Sequence, residues 1–174
     1  QWNPYIPKGA PTFQRIPYDS NNVFNVVYFP SCITRTMGAS RDYDESVALT
    51  EKTISLLNKA GYDVIFPNNL ENLCCGMAFS SKGFKQAGAT KARELSEALL
   101  KASNNGDIPI LCDISPCLYT MKETLDTRLK LFEPIEFTLK FLTPYLEFKK
   151  MSEPVSIFSV CSAKKMGLES QFVE

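Results

Sequence analysis

Five of the six cysteines fall into three short motifs, in a chain that has no histidine. The motifs are Cys32, the run Cys74-Cys75-Gly76, and the pair Cys112 and Cys117. Adjacent cysteines do not easily address one small ion, and a disulfide between sequence neighbours is strained. Such a doublet reads first as part of a thiolate nest for an iron-sulfur centre, whose irons are held by deprotonated thiols. It reads second as a redox dithiol. Structural zinc generally uses paired C-x2-4-C knuckles; here only Cys112 and Cys117 resemble a pair, spaced C-x4-C, and the doublet suits zinc poorly. A thioredoxin-type exchange centre wants C-x-x-C at a helix start, and the chain has none. Without histidine there is no Ser-His or Cys-His nucleophile, and Gly76, Gly83 and Gly88 do not make a dinucleotide or phosphate loop.

Alternating strand and helix signals place these motifs. Apolar, β-branched and aromatic runs at 25–30, 63–67, 108–112, 129–132 and 155–160 predict five strands. Helical spacing predicts helices over 45–60, 81–103, 115–126 and 134–146, with Gly61 stopping the first and Ser115-Pro116 as N-cap and first residue of the third. This order argues for an α/β fold, an open parallel sheet of about five strands with helices on both faces, of Rossmann or flavodoxin type. Cys32 then lies just past the first strand, Cys74-Cys75 after the second, Cys112 and Cys117 at and beyond the end of the third, and Cys161 after the fifth. All fall on the carboxyl edge, where open α/β sheets bind ligands. The helix in which Cys117 would be the second residue, and the helix that Gly76 to Ser81 leads into, would stabilise anionic sulfur at their N-termini, and Gly76 is expected to let backbone approach sulfur closely.

Bulk composition sets the class. A chain of 174 residues, 44% hydrophobic and 22% charged, is a soluble globular domain able to bury one core. Nineteen basic and nineteen acidic residues cancel, so nothing electrostatic favours nucleic acid or an anionic membrane as partner. Lys149-Lys150, Lys164-Lys165, Asp42 and Asp44 read as solvated surface. No stretch approaches the roughly 20 apolar residues of a membrane span, and no signal-peptide core opens the chain. The expected location is cytoplasmic, or peripheral at the inner face of the cytoplasmic membrane, where thiols serve metal or catalysis rather than disulfides. Pro4, Pro7, Pro11 and Pro17 make residues 1–22 read as an extended linker. With no initial Met and a new element starting at Cys161, the chain reads as a piece of a longer polypeptide.

Three segments carry a family resemblance: Phe-Pro-Ser-Cys-Ile-Thr-Arg-Thr-Met-Gly (29–38), Leu-Cys-Cys-Gly-Met-Ala-Phe-Ser-Ser-Lys-Gly-Phe (73–84) and Leu-Cys-Asp-Ile-Ser-Pro-Cys (111–117). Together they resemble the CCG cysteine-rich domain found in heterodisulfide reductases and in the iron-sulfur subunits of glycolate oxidase and glycerol-3-phosphate dehydrogenase. With Cys-Ser-Ala-Lys-Lys-Met-Gly-Leu (161–168), the resemblance is greatest to the FAD-linked respiratory D-lactate dehydrogenases. It implies a first CCG unit over 23–150 and the start of a second, truncated, over 151–174. It implies Cys32, Cys74, Cys75, Cys112 and Cys117 as ligands of a 4Fe-4S type cluster, with Cys161 a further metal ligand. It also implies FAD on another domain of the same polypeptide, a ferredoxin-like domain, and electrons passing to a quinone or cytochrome, with the piece alone inactive. The chain departs from the family where the last pair is C-x4-C rather than C-x2-C, and where Phe158 stands in place of a frequent His. The alternatives are a scaffold holding zinc or nothing, and a thiol-disulfide site like that of heterodisulfide reductases.

Overall fold

The computed structural model describes residues 6–11, 23–40, 47–150 and 152–173. Strand β2 (Phe24–Phe29) is central because both of its faces are apolar: Val26, Val27, Tyr28 and Phe29 are each at most 1% exposed. Beside it lie β4 (Tyr62–Ile65), β5 (Ile110–Cys112) and β6 (Leu131–Phe132), all parallel, in the order β4-β2-β5-β6. In chain order that is second, first, third, fourth, a doubly wound sheet that reverses direction between β2 and β5.

Helices cover both faces. Val27 and Phe29 of β2, with Ile110 and Cys112 of β5, meet Ala92, Leu95 and Leu99 of α4 (Lys85–Ala102) and Leu118 and Met121 of α5 (Ser115–Thr124). Val26 and Tyr28, with Leu111 and Phe132, meet Ile54 and Leu57 of α2 (Leu49–Lys59) and Phe137 of α6 (Pro134–Phe137). Alternate side chains of one strand thus feed two cores. Gly61, at φ +80, ends the α2 turn as expected of a stop residue. Glu133 starts α6 with a capping box, accepting from the Ile135 N–H at 2.6 Å while Glu136 accepts from the Glu133 N–H at 3.5 Å.

The expected α/β class and two-faced packing stand, with four strands instead of five in the parallel sheet. The expected strand at 155–160 is not formed: the segment has no regular structure, and Val155, Ile157 and Phe158 are exposed. A strand needs a neighbour for its N–H and C=O groups, and none lies beside this segment among the described residues. The helix expected over 134–146 is broken up: α6 gives way to a π turn (Thr138–Leu142) and a 3-10 turn at Thr143–Tyr145, where Pro144 has no N–H to continue the ladder. Within the stretch expected as linker, β1 (Pro7–Gly9) pairs antiparallel with β3 (Met37–Ser40), the strand after α1 (Cys32–Thr36). Residues 1–5 and 12–22 of that stretch, together with Asp42, Asp44 and residues 45–46, lie outside the described residues. Among the described residues no helix is long and apolar enough to cross a membrane.

Leu95, 0% exposed, fills the space between α4 and the sheet. Leu95→Ala should lower unfolding stability in urea by about 2–5 kcal/mol. A loss under about 0.5 kcal/mol would show that this face is not the packed core.

Candidate functional site

The reversal of strand order leaves a crevice at the carboxyl ends of β2 and β5, and the cysteine motifs meet there. Cys32 opens α1 three residues beyond β2, and Cys112 is the last residue of β5. Cys74 and Cys75 arrive on the loop between a 3-10 turn at Leu70–Asn72 and α3 (Met77–Ser80), and Cys117 lies in the first turn of α5. The thiols interact as a row, Cys32 with Cys74, Cys74 with Cys75, and Cys75 with Cys117. Cys112 stands behind Cys75, wholly buried, with its Sγ 3.8 Å from the Ile114 carbonyl oxygen. No set of three or more Cys, Asp or Glu side chains among the described residues is grouped to hold a single metal ion. The thiol contacts run pairwise, from Cys32 to Cys74, Cys75 and Cys117.

Every free thiol is a candidate donor, since no disulfide joins the six cysteines. Four of the thiols, Cys32, Cys74, Cys75 and Cys112, hold their protons tightly. The Cys75 contact pushes Cys74 well above the usual thiol range, and burial adds to it, while the Gly76 N–H pulls the other way from 3.4 Å. Cys75 is pushed up to about 11, chiefly by Cys117. Burial raises Cys32, Cys74 raises it further, and the Arg35 cation opposes both. Cys112 is raised by burial, then by the nearby charges of Asp113, Cys75 and Glu133.

Polar groups that sequence reasoning does not single out hold the crevice together. Asp113, next after Cys112, accepts from the Ser31 N–H at 2.9 Å through Oδ1 and from the Tyr28 hydroxyl at 2.9 Å through Oδ2. Burial raises its carboxyl above the usual range, and these donors restrain the rise. Arg35 donates to three carbonyls, those of Pro30, Leu70 and Leu73. Nothing in the local sequence marks either residue, because their partners lie 5 to 85 positions away. Ser115 is not the N-cap expected of it; Ile114 takes that position, and the Ser115 hydroxyl donates to Glu133 Oε1 at 3.3 Å.

Gly76 brings its backbone up to sulfur as expected, its N–H 3.4 Å from the Cys74 Sγ, and it serves a second purpose. It takes φ +83, and a Cβ there would strike the Gly88 carbonyl of α4. The missing side chain therefore lets α3 close onto α4, while the Gly76 N–H is left to face the Cys74 sulfur. Between α4 and α5 lies a cavity of about 480 Å³ that reaches Cys75 and is walled in part by Ala92, Ser96, Thr120 and Leu125. Cys161 stands apart from the row. It begins α7 (Cys161–Lys165), is exposed, and interacts with no other thiol; Ala163 is buried as α7 packs on α5, and the Lys165 ammonium sits 5.4 Å from the Tyr119 ring centroid.

A doubly wound sheet whose switch point carries a row of thiols is a sulfur-donor α/β domain, with a donor set compatible with an iron-sulfur cluster. The family model of the CCG cysteine-rich domain matches residues 26–122, more than half of the chain and all five cysteines of the crevice. The chain belongs to that family, whose domain is found in iron-sulfur-containing oxidoreductase subunits. No curated protein and no solved structure matches it.

Two outcomes are expected. Gly76→Ala combines a left-handed backbone with a clash against α4, so it should cost more than about 1 kcal/mol of unfolding stability; an unchanged urea midpoint would refute the close approach. For the reduced, metal-free protein, Cys75 keeps its proton up to about 11, whereas the unfolded chain ionises near 9.0. Its contribution is therefore full below 9.0 and is lost as pH rises through about 11, so the melting temperature should fall across that window. A flat profile there would contradict the protonated Cys75 thiol.

Proposed function

We propose that residues 23–150 form one CCG unit that holds a cluster of 4Fe-4S type, and that the unit is an electron-transfer module. The observation that supports this best is the arrangement of Cys32, Cys74, Cys75 and Cys117 as a row, with Cys112 behind it. A tetrahedral zinc needs four donors around one point. A cluster presents several irons, so its thiolate ligands need not converge on one point.

When bound, the cluster supplies a site that accepts and releases single electrons. The chain supplies the rest. Cys32, Cys74, Cys75, Cys112 and Cys117 would hold it as thiolates, so loading would release thiol protons. Asp113 fixes the ends of β2 and β5, and the cores on either side keep water from the inner sulfurs. In the fuller reading the module serves an FAD-dependent 2-hydroxy acid dehydrogenase acting on D-lactate. Flavin and ferredoxin-like domains of the same polypeptide are then its neighbours, and a quinone or cytochrome takes the electrons.

A second unit over 151–174 is part of this reading. Val26, Phe29, Cys32, Met37 and Gly38 recur at the same spacing as Val155, Phe158, Cys161, Met166 and Gly167, and in both places a five-residue helix starts at the cysteine. Val26 and Phe29 belong to a central strand with neighbours on both sides; Val155 and Phe158 are residues suited to such a strand, without the neighbours. Cys161 is then a ligand of that second unit.

Anaerobically purified protein should contain iron and acid-labile sulfide in equal amounts and give an electron paramagnetic resonance signal in one redox state. Cys75→Ser and Cys117→Ser should each abolish iron binding, and Cys161→Ser should leave the iron of the first unit in place. Stoichiometric zinc without iron would overturn the assignment.

A further inference from the structure

One side chain joins the two loops that carry the outer cysteines. Arg35 lies three residues beyond Cys32, on the same short helix, and its guanidinium reaches across to the loop that ends in Cys74 and Cys75. Its Nε donates to the Pro30 carbonyl at 3.1 Å, and its two terminal nitrogens donate to the Leu70 and Leu73 carbonyls at 2.5 Å each. Leu73 immediately precedes Cys74. The same guanidinium lies 6.0 Å from the Phe29 ring centroid, at the end of β2. All of these partners are carbonyls or a ring face, and among the described residues no carboxylate neutralises the charge. The cation is left to act on the thiols, and it acts on Cys32.

We propose that Arg35 is a positioning residue that sets the separation of Cys32 from Cys74, and that its positive charge favours the reduced state of the cluster they hold. The second half rests on the reading of the thiols as cluster ligands; the first half stands without it. Only arginine can do both. Its planar fork offers five donors in fixed directions, whereas a lysine ammonium is a point charge that cannot span three carbonyls from one place. The repeat supplies the contrast: Lys164 occupies the place corresponding to Arg35 and pairs with Glu169 at 3.1 Å. There the charge is neutralised.

The geometry separates the two effects. Arg35→Lys keeps the charge and loses the fork, and Arg35→Gln loses both. In reduced, metal-free protein, alkylation of Cys74 followed by mass spectrometry should be at least about tenfold faster in both variants than in wild type, because the loop is released from α1. In iron-loaded protein, redox titration should leave Arg35→Lys within about twofold of the wild-type equilibrium. Arg35→Gln should shift about tenfold toward the oxidised form, about 59 mV for a one-electron couple. Equal alkylation rates in wild type and Arg35→Lys would overturn the clamp, and this variant keeps the test open if Arg35→Gln does not fold. Equal potentials in wild type and Arg35→Gln, or equal shifts in both variants, would overturn the electrostatic role. If wild type takes up no iron, the cluster reading fails together with the redox half, and the alkylation rates still decide the clamp.

Discussion

The structure depends on a half-buried carboxylate at the point where the sheet changes direction. Asp113 joins the chain leaving β5 to the chain leaving β2, through the Ser31 N–H and the Tyr28 hydroxyl. Hydrogen bonds to a charged group contribute about 1.5–3 kcal/mol each, and the carboxylate would be costly to bury without them. The tie ends both strands at one level, so Cys32 and Cys112 start from adjacent positions. Tyr28 belongs to the opposite core from the thiols. The same carboxylate therefore couples the two faces of the sheet at the crevice.

Around this tie the molecule accepts several electrostatically unfavourable choices. Three of the five crevice thiols are buried, and Cys112 sits close to the acidic Asp113 and Glu133. A protein built only for stability would place aliphatic side chains here, since a core of matching volume serves as well without polar sulfur. Thiols that contact one another share their protons, and metal loading must part those contacts and remove the protons together. Arg35 and the Gly76 N–H are nearby groups that favour anionic sulfur, and both act on the outer cysteines, Cys32 and Cys74. Among the inner sulfurs, Cys75 is favoured in the same way by the backbone of Met77.

Much of this is legible in the chain. The strand and helix periods define the class of fold, because buried parallel strands are nearly continuous apolar runs and Val26 to Phe29 is one. The gathering of Cys32, Cys74, Cys75, Cys112 and Cys117 follows from parallel topology alone, since every such strand delivers its following loop to the same edge. Periodicity does not show that 155–160 stays unpaired, because strand propensity describes a segment and pairing describes its neighbours. Nor does it find Asp113 and Arg35, whose roles consist of contacts with residues distant in sequence. Gly76 stands out in the sequence for the right reason, freedom from a side chain and approach to the Cys74 sulfur, but its packing against the Gly88 carbonyl is not legible there.

The central claim is that this row of thiols is a cluster site. A crystal structure of the anaerobically purified protein, with anomalous scattering recorded on both sides of the iron absorption edge, tests it directly. The account predicts several iron atoms in the crevice, bonded to Cys32, Cys74, Cys75, Cys112 and Cys117. A single zinc held by part of that set, or iron bound anywhere else with the row intact and protonated, would contradict it.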